Sequence, residues 1–523
     1  NYNLLFITLK AFIVFIFYKK QYIWNLITIN IINMSIWKRK PLAQLLAEAA
    51  DSEKGLKRTL TAWSLIALGI GAIIGAGLFV RTATAAAQSA GPSVTIAFIV
   101  AAIGCALAGL CYAELSSSIP ISGSAYTYTY ATMGEFLAWI IGWDLILEYA
   151  VGAATVGIAW SEYLNNLLVN VFHISPIPYE FSHSPFQTSA EGVSGIINLP
   201  ALFIVGIISL LLIKGIQESA FVNGIIVIVK VAIVILIIVI GWNFINPVNH
   251  TPYIPESSIF TDEHGIEHNY GGVLGILGAA GTVFFAFIGF DAVSTAAQET
   301  KNPKKAMPIG ILGSLAICTL MYILFAHVLT GVATVEDFRT GGKEASVAFA
   351  INKYMIGYEW LGQLVTVAIL AGFSSVILVM LLGQSRVFYA MGKDGLLPKA
   401  FSDLHSKYKT PYKANIAILI IVGAFAAFVP GDIVGDMTSI GTLFAFVLVC
   451  ISVIILRVKE PNMVREFKTP FVPLVPLLGV AVCIAMMYGL GWTNWLRLFV
   501  WMAIGIVLYF SYGKKHSVLN HGE

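Results

Sequence analysis

The sequence predicts an all-α polytopic membrane protein with twelve transmembrane helices. Hydrophobic residues make up 58% of the 523 positions. Charged residues make up only 11%, less than half of the ~25% found in soluble globular domains. The mean hydropathy of +0.83 agrees with this, and apolar runs of about 20 residues recur along the chain. This composition excludes an ordinary soluble enzyme and a disordered protein.

Twelve apolar stretches of helical length are the predicted transmembrane spans, numbered one to twelve here. They cover 62–88, 94–118, 134–170, 197–213, 219–243, 272–298, 307–334, 359–390, 412–430, 437–457, 471–491 and 495–513. An even number of spans puts both ends of the chain on the same side of the membrane.

Lysine and arginine are distributed very unevenly between the predicted loops. With the N-terminus inside, the inner segments hold 22 basic residues and the outer segments hold five. The long outer loops 171–196 and 244–271 contain none. Positive charge accumulates on the cytoplasmic side of a membrane, so this bias sets the expected orientation. The expected location is the plasma (inner) membrane, as a multi-pass protein. The N-terminal segment 34–61 and the tail 514–523 are both expected to be cytoplasmic.

Residues 1–33 differ in composition from the rest of the chain. Asn, Tyr, Ile, Phe and Lys supply 23 of these 33 residues, and Gly, Pro, Asp and Glu do not occur. AT-rich codons encode these five types, so we interpret 1–33 as an artefact of translated upstream DNA or as a disordered extension. The alternative is an extra membrane anchor at 4–18, which is shorter than the ~20 residues of a span and contains Lys10.

Two spans carry glycine-rich interruptions at their centres. Residues 69–80 of span one read GIGAIIGAGLFV, and residues 281–291 of span six read GTVFFAFIGFD. Glycine also serves close helix packing in membranes, which is the alternative interpretation. Five helices separate the starts of the two interrupted spans, a spacing typical of an inverted repeat with its site between two broken helices. We therefore expect a first repeat at 62–243, a second at 272–457 and two further helices at 471–513.

Ionisable residues inside the spans are candidates for function, because each costs about 2.5–3.5 kcal/mol to insert on translocon scales. Asp144 and Glu148 lie four residues apart in span three, on one face of the helix. Lys230 lies at the centre of span five, too deep to reach either surface. Asp291 follows the interruption in span six. A structural hydrogen bond for Asp144 and a structural ion pair for Lys230 are the alternatives.

Ser374 and Ser375 lie at the middle of span eight, at a depth similar to that of Lys230 and the interruption in span one. Hydroxyls in helices usually bond to their own backbone, which is the default interpretation here. In transporters built from repeats, however, this depth holds the site of the coupling ion. An amine that lies among hydroxyls and free carbonyls could replace a metal cation there. Gaining a proton would give the site the positive charge that a bound metal ion otherwise supplies.

Four long motifs resemble the cationic amino acid transporter subfamily of the amino acid–polyamine–organocation (APC) superfamily. They are GIGAIIGAGLFV, LCYAELSSSIPISGSAYTYTYATMGEFLAWIIGWDLILEY, FFAFIGFDAVSTAAQETKNPKKAMPIGI and SIGTLFAFVLVCISVIILR. The similarity covers residues 38–513 and suggests a bacterial member. It implies the APC fold, a five-plus-five inverted repeat with two additional C-terminal helices. It also implies a secondary active amino acid permease.

The resemblance implies a role for particular residues. The substrate carboxylate is held by backbone amides at Gly75, Ala76 and Gly77, where close relatives often carry Thr in place of Ala76. The substrate amine and the gate over it map to Phe285, Ala286 and Ile288. Glu148 matches an acid of the side-chain pocket, and the family's proton-coupling lysine and its hydroxyl neighbours match Lys230, Ser374 and Ser375.

Two functions of different kinds remain open at this stage. The first is proton-coupled amino acid uptake (symport) by alternating access, and the second is exchange of amino acids or polyamines without net proton flux. An enzyme is not expected, since neither an HExxH nor a GxSxG motif occurs. We expect no cofactor and no metal. The expected partners are a small amino acid, protons and the lipid bilayer; a net charge of +3 gives no reason to expect nucleic acid, and an accessory membrane subunit stays undetermined.

Overall fold

The computed structural model describes residues 37–50, 58–75, 77–189, 191–214, 216–262, 267–340 and 346–521. The interpretation of 1–33 lies outside these residues. The helices are α1 Leu42–Ala50, α2 Ala62–Ile73, α3 Thr82–Ala85, α4 Val94–Ser118, α5 Ser124–Thr132, α6 Glu135–Leu145, α7 Gly152–Asn170, α8 Tyr179–Ser182, α9 Leu199–Lys214, α10 Ile216–Gly241, α11 Gly272–Phe284, α12 Ala292–Thr295, α13 Pro303–Val332, α14 Val335–Thr340, α15 Ser346–Tyr354, α16 Glu359–Lys393, α17 Tyr412–Phe428, α18 Gly431–Lys459, α19 Leu474–Gly489, α20 Trp492–Leu508, α21 Lys514–His516 and α22 Val518–His521. One antiparallel hairpin joins β1 Ser258–Thr261 to β2 Glu267–Tyr270.

Long apolar helices dominate the described part of the chain, which confirms a polytopic helical membrane protein. Eight helical segments are long and apolar enough to cross a bilayer. They are Gly77–Ser118, Glu135–Val169, Asn223–Phe244, Gly272–Thr295, Pro303–Val332, Glu359–Lys393, Met437–Lys459 and Trp492–His516. Four shorter apolar helices lie at Ala62–Ile73, Leu199–Lys214, Tyr412–Phe428 and Leu474–Gly489. All of these segments overlap predicted spans, and Gly77–Ser118 covers both the second half of span one and the whole of span two.

The helix of span one is interrupted after Ile73. The side chain of Thr61 caps the start of α2 by accepting a hydrogen bond from the amide of Ser64. At Ile74 the backbone turns extended, with φ −75° and ψ 102°. Helical structure resumes at Gly77 as a wider π-helical turn that leads into α3. The first half-helix therefore ends near the centre of the span, where it leaves carbonyl oxygens without partners from its own turns.

The helix of span six is interrupted as well. After α11, residues Phe285–Phe287 form one tight 3₁₀ turn, and Ile288 is extended with φ −57° and ψ 136°. Gly289 has φ +107°, a conformation that side chains rarely adopt. A Cβ at Gly289 would also lie 2.7 Å from Cβ of Ala72 on α2. Glycine is required here both for the backbone turn and for the close approach to α2.

Span three contains a distortion that the sequence does not predict. A π-helical turn at Ile146–Val151 joins α6 to α7 and carries Glu148. Such turns insert one extra residue into a helix and are frequent at functional sites. Glu148 lies within the turn, whereas Asp144 lies in the α-helix that precedes it.

The helices around the two interruptions form the buried centre of the molecule. Helix α13 packs against both α2 and α4, while α10 packs against α2 and α16. Helix α16 packs against α7, and α11 lies against α4 and α19. Spans one, three, five, six, seven and eight therefore converge on one region, and the predicted site residues lie on them.

A buried ion pair closes one end of this region. Arg386 on α16 lies 2.8 Å from Glu299, and each side chain is 2% exposed. The backbone carbonyl of Glu299 also accepts hydrogen bonds from the amides of Thr59 and Leu60, which precede α2. Glu299 thus joins three elements at one point: the segment before α2, the segment that follows the interrupted helix of span six, and α16.

Candidate substrate-binding and coupling site

The two interruptions lie against each other. A Cβ on Gly77 would lie 2.1 Å from Cα of Ala286, much closer than any van der Waals contact. A Cβ on Gly75 would lie 2.5 Å from a methyl group of Val376 on α16. Backbone therefore meets backbone at this point, as the binding of a small polar molecule by main-chain groups requires. Ala76, between the two glycines, lies outside the described residues.

Lys230 reaches the end of the first half-helix. Its ammonium nitrogen lies 2.8 Å from the carbonyl oxygen of Gly71, 2.8 Å from that of Ile74 and 3.0 Å from the hydroxyl of Ser375. The side chain is buried. An ammonium group has three N–H donors, and here it meets three acceptors. The two carbonyls also belong to the C-terminal end of a helix, where the helix dipole favours a positive charge.

The two serines of α16 have different partners. The hydroxyl of Ser375 is 3.0 Å from the carbonyl of Gly71 as well as from Lys230. The hydroxyl of Ser374 instead donates to the carbonyl of Leu370, one turn back on its own helix, at 2.9 Å. Of the pair, Ser375 therefore belongs to the lysine site, and Ser374 follows the usual behaviour of a hydroxyl in a helix.

Two buried carboxylates face each other beside the second interruption. The hydroxyl of Tyr149 donates to one oxygen of Asp291, and the carboxyl of Glu148 lies close enough to Asp291 for the two to interact electrostatically. Among the described residues, neither oxygen of Glu148 nor of Asp144 has a hydrogen-bond partner. Two adjacent buried carboxylates without a cation are costly when both are ionised. This pair therefore favours a shared proton or a cationic group between α7 and the span-six interruption.

Phe285 lies in the 3₁₀ turn of span six and is almost fully buried. The guanidinium carbon of Arg81 lies 5.4 Å from the centre of the Phe285 ring, which is within the range of a cation–π contact. Arg81 follows the interruption in span one, so this contact joins spans one and six beside the two interruptions. In the sequence, Arg81 is recognisable only as one of the five basic residues counted on the outer side.

Tyr322 on α13 is a site residue that the sequence analysis missed. Its hydroxyl oxygen lies 2.6 Å from the carbonyl oxygen of Ile73 and 2.8 Å from that of Ala286. These carbonyls belong to the first and the second interruption, respectively. The signal in the sequence was a tyrosine near the middle of span seven, which does not reveal what the hydroxyl contacts.

Two broken helices in contact, a buried lysine at the end of one and buried carboxylates beside the other define a membrane transporter rather than an enzyme. The sequence profile of the family described as "Amino acid permease" matches residues 60–512. The chain therefore belongs to the amino acid permease family, which confirms the family expected from the motifs.

Individual relatives differ in the substrate for which they are named. The chain is 43% identical to the branched-chain amino acid permease of Bacillus subtilis (strain 168), over 93% of this chain and 99% of the relative. It is 40% identical to the methylthioribose transporter of the same organism, again over 93% of this chain and 99% of the relative. It is 32% identical to the vacuolar cationic amino acid transporter 4 of Arabidopsis thaliana, over 82% of this chain and 68% of the relative.

Proposed function

We propose that this permease takes up amino acids by alternating access and couples their uptake to protons through Lys230. The observation that carries the proposal is the set of three hydrogen bonds from Lys230 to the first half-helix and to α16.

The architecture proposed for this activity has twelve spans. Spans one to five and six to ten form an inverted five-plus-five repeat, and both termini lie in the cytoplasm. Interruptions in the first helix of each half support the repeat, and the bias of basic residues supports the orientation. Labels placed at 171–196 and 244–271 should react from outside the cell, and labels at 393–409 from inside. External reaction at 393–409 would overturn the orientation.

The substrate is bound between the two interruptions. The resemblance assigns the substrate carboxylate to the backbone amides of Gly75, Ala76 and Gly77. The second half-helix of span one begins at Gly77, and a helix N-terminus attracts negative charge. Carbonyls at Phe285, Ala286 and Ile288 suit an ammonium group. A zwitterionic amino acid satisfies both ends at once, and the irregular backbone is tolerated because it lines the site. Phe285 covers the substrate, and Glu148 with Asp291 bounds the side-chain end.

The coupling step follows from the number of donors on Lys230. The charged amine has three N–H donors for its three acceptors, whereas the neutral amine has only two donors. Loss of the proton therefore weakens the link between α10, the end of α2 and α16. The first half-helix is then free to move, and the proton and the substrate leave together. Both are taken up again from the other side when the amine recharges.

A neutral amino acid with a branched apolar side chain is the proposed substrate. Two relatives that match nearly full length, at 43% and 33% identity, are named branched-chain amino acid permeases. Leucine, isoleucine and valine should be taken up faster than lysine and arginine. Methylthioribose has neither the carboxylate nor the ammonium group that the two interruptions suit, so it should compete weakly.

The test is uptake of L-leucine into proteoliposomes with and without an inward proton gradient. The gradient should drive accumulation by the wild type, and Lys230→Ala should bind and exchange leucine without accumulating it. Lys413→Ala, which removes an exposed lysine paired with Asp403, is the matched control and should accumulate normally. If the gradient has no effect on uptake by the wild type, the result would favour the alternative function, exchange of amino acids without net proton flux. Wild-type accumulation by Lys230→Ala would make Lys230 a structural cation.

A further inference from the structure

We propose that Tyr322 is a further ammonium-binding residue of the site. Its hydroxyl donates its hydrogen to the carbonyl of Ile73 and offers its own oxygen, beside the carbonyl of Ala286, as an acceptor for the substrate amine. The inference deepens the proposed function, since it rests on the binding of an amino acid between the two interruptions.

The position of the hydroxyl is well defined by the packing of the Tyr322 ring. The ring is completely buried, with its centre 5.5 Å from that of Phe98 and 5.2 Å from that of Phe287. These contacts come from α4 and from the 3₁₀ turn of span six, on two sides of the tyrosine. The hydroxyl therefore reaches the interruptions from a third helix, α13, which contributes no other predicted site residue.

Three oxygens share a single hydrogen at this point. The phenol has one O–H, so it can donate to only one of the two carbonyls at a time. The shorter distance, 2.6 Å, is to Ile73, and this carbonyl is the better acceptor for the hydrogen. The phenol oxygen and the carbonyl oxygen of Ala286 then lie 2.8 Å apart with no hydrogen between them.

Two buried oxygens at that separation form an acceptor pair in need of a donor. A buried acceptor without a hydrogen bond raises the free energy of the folded state, and facing lone pairs add repulsion. An ammonium group removes both costs because it can donate to each oxygen. The chemistry therefore selects a primary amine in its charged form over a hydroxyl or carbonyl group at the same place on the ligand.

The arrangement also links binding to closure of the site. Ile73 ends the first half-helix, and Ala286 lies in the turn that ends α11. One hydroxyl reaches both carbonyls only while the two interruptions are in contact. A bound ammonium group can donate to the phenol oxygen and to the carbonyl of Ala286 only while the two interruptions are in contact. Binding therefore stabilises the closed state relative to states in which the half-helices have separated.

The test compares the amino acid that the wild type takes up fastest with the 2-hydroxy acid that carries the same side chain. The measured quantity is the ratio of their apparent affinities in Tyr322→Phe, which keeps the ring and removes only the hydroxyl. We expect the amino acid to lose about three- to tenfold in affinity, the value of one hydrogen bond, while the hydroxy acid changes less than about twofold. The ratio of the affinity for the amino acid to the affinity for the hydroxy acid should therefore be smaller in Tyr322→Phe than in the wild type.

Tyr112→Phe is the matched control. Tyr112 is a completely buried tyrosine of α4 whose hydroxyl has no hydrogen-bond partner among the described residues. Its removal should leave the ratio unchanged. Equal losses for both ligands in Tyr322→Phe would overturn the inference and make Tyr322 a packing residue. A wild type that does not discriminate between the two ligands would instead overturn the ammonium site of the proposed function.

Discussion

The ammonium nitrogen of Lys230 lies 2.8 Å from the carbonyl oxygen of Gly71, although 159 positions separate the two residues in the chain. The hydroxyl of Ser375 completes this arrangement by contacting both partners. The three groups connect α10, α2 and α16 at the depth of the first interruption. Their contacts allow the coupling hypothesis to be tested with substitutions that change one hydrogen bond at a time.

Ser375→Ala should move the pH optimum of uptake to lower pH without abolishing transport. The substitution removes one acceptor from the charged amine, so a higher proton concentration is needed to charge it. The shift should be about one pH unit, which corresponds to one charge-assisted hydrogen bond. The pH profile of uptake in proteoliposomes measures it. Ser374→Ala is the control, because that hydroxyl bonds to Leu370, and an equal shift in both variants would contradict the assignment.

Gly77→Ala should reduce substrate binding to below about a tenth of the wild-type value. The new Cβ would lie 2.1 Å from Cα of Ala286, and backbone atoms on both sides would have to separate. Equilibrium binding of the labelled amino acid to protein in detergent measures the effect. Gly206→Ala on α9 is the matched control, because nothing lies within 4 Å of its added Cβ. Undiminished binding by Gly77→Ala would move the substrate site elsewhere.

Glu148→Gln should change the charge preference of the side-chain pocket. The carboxyl is fully buried, lies beside Asp291 and has no hydrogen-bond partner among the described residues. Removing its charge should lower uptake of lysine and arginine, where these are accepted, by more than it lowers uptake of leucine or alanine. Competition of unlabelled amino acids against labelled leucine gives the comparison. Equal losses for all of them would make Glu148 a structural or proton-handling group.

Asp337 between spans seven and eight should stabilise the protein in a pH-dependent way. Burial would raise the pKa of its carboxyl, but hydrogen bonds from Lys353 at 2.5 Å, from Thr334 and from Tyr354 hold this pKa below its ordinary value. A lowered pKa in the folded state adds stability that is present above about pH 4 and is lost as the pH falls through the lower value.

The variant Asp337→Asn should therefore have a lower Tm than the wild type, with a constant difference from pH 7 to pH 5. The difference should narrow only below about pH 4, where the unfolded chain binds a proton at Asp337 before the folded protein does. Asp403→Asn removes one partner of an exposed ion pair and should change Tm little at any pH. A difference for Asp337→Asn that is the same at pH 7 and pH 3 would show that charge is not its cause.

The polytopic helical architecture and the places where two of the helices break could be predicted from the sequence. Apolar length and glycine content are local properties, and they act through the cost of exposing backbone to lipid and through the missing Cβ. The burial of Lys230 and Glu148 followed from their positions at the centres of spans. The π-helical turn at Glu148 did not, because no residue within 146–151 requires it.

The sequence by itself determined that a buried amine, two hydroxyls and two interrupted helices occur at similar depth. Only the tertiary structure decided which of them meet. Neighbouring residues point about 100° apart around a helix, so only one of the two serines can face Lys230. The orientation of α16 in the packed bundle selects Ser375. The contacts of Tyr322 with both interruptions and of Arg81 with Phe285 depend in the same way on how helices far apart in the chain pack together, which no local pattern records.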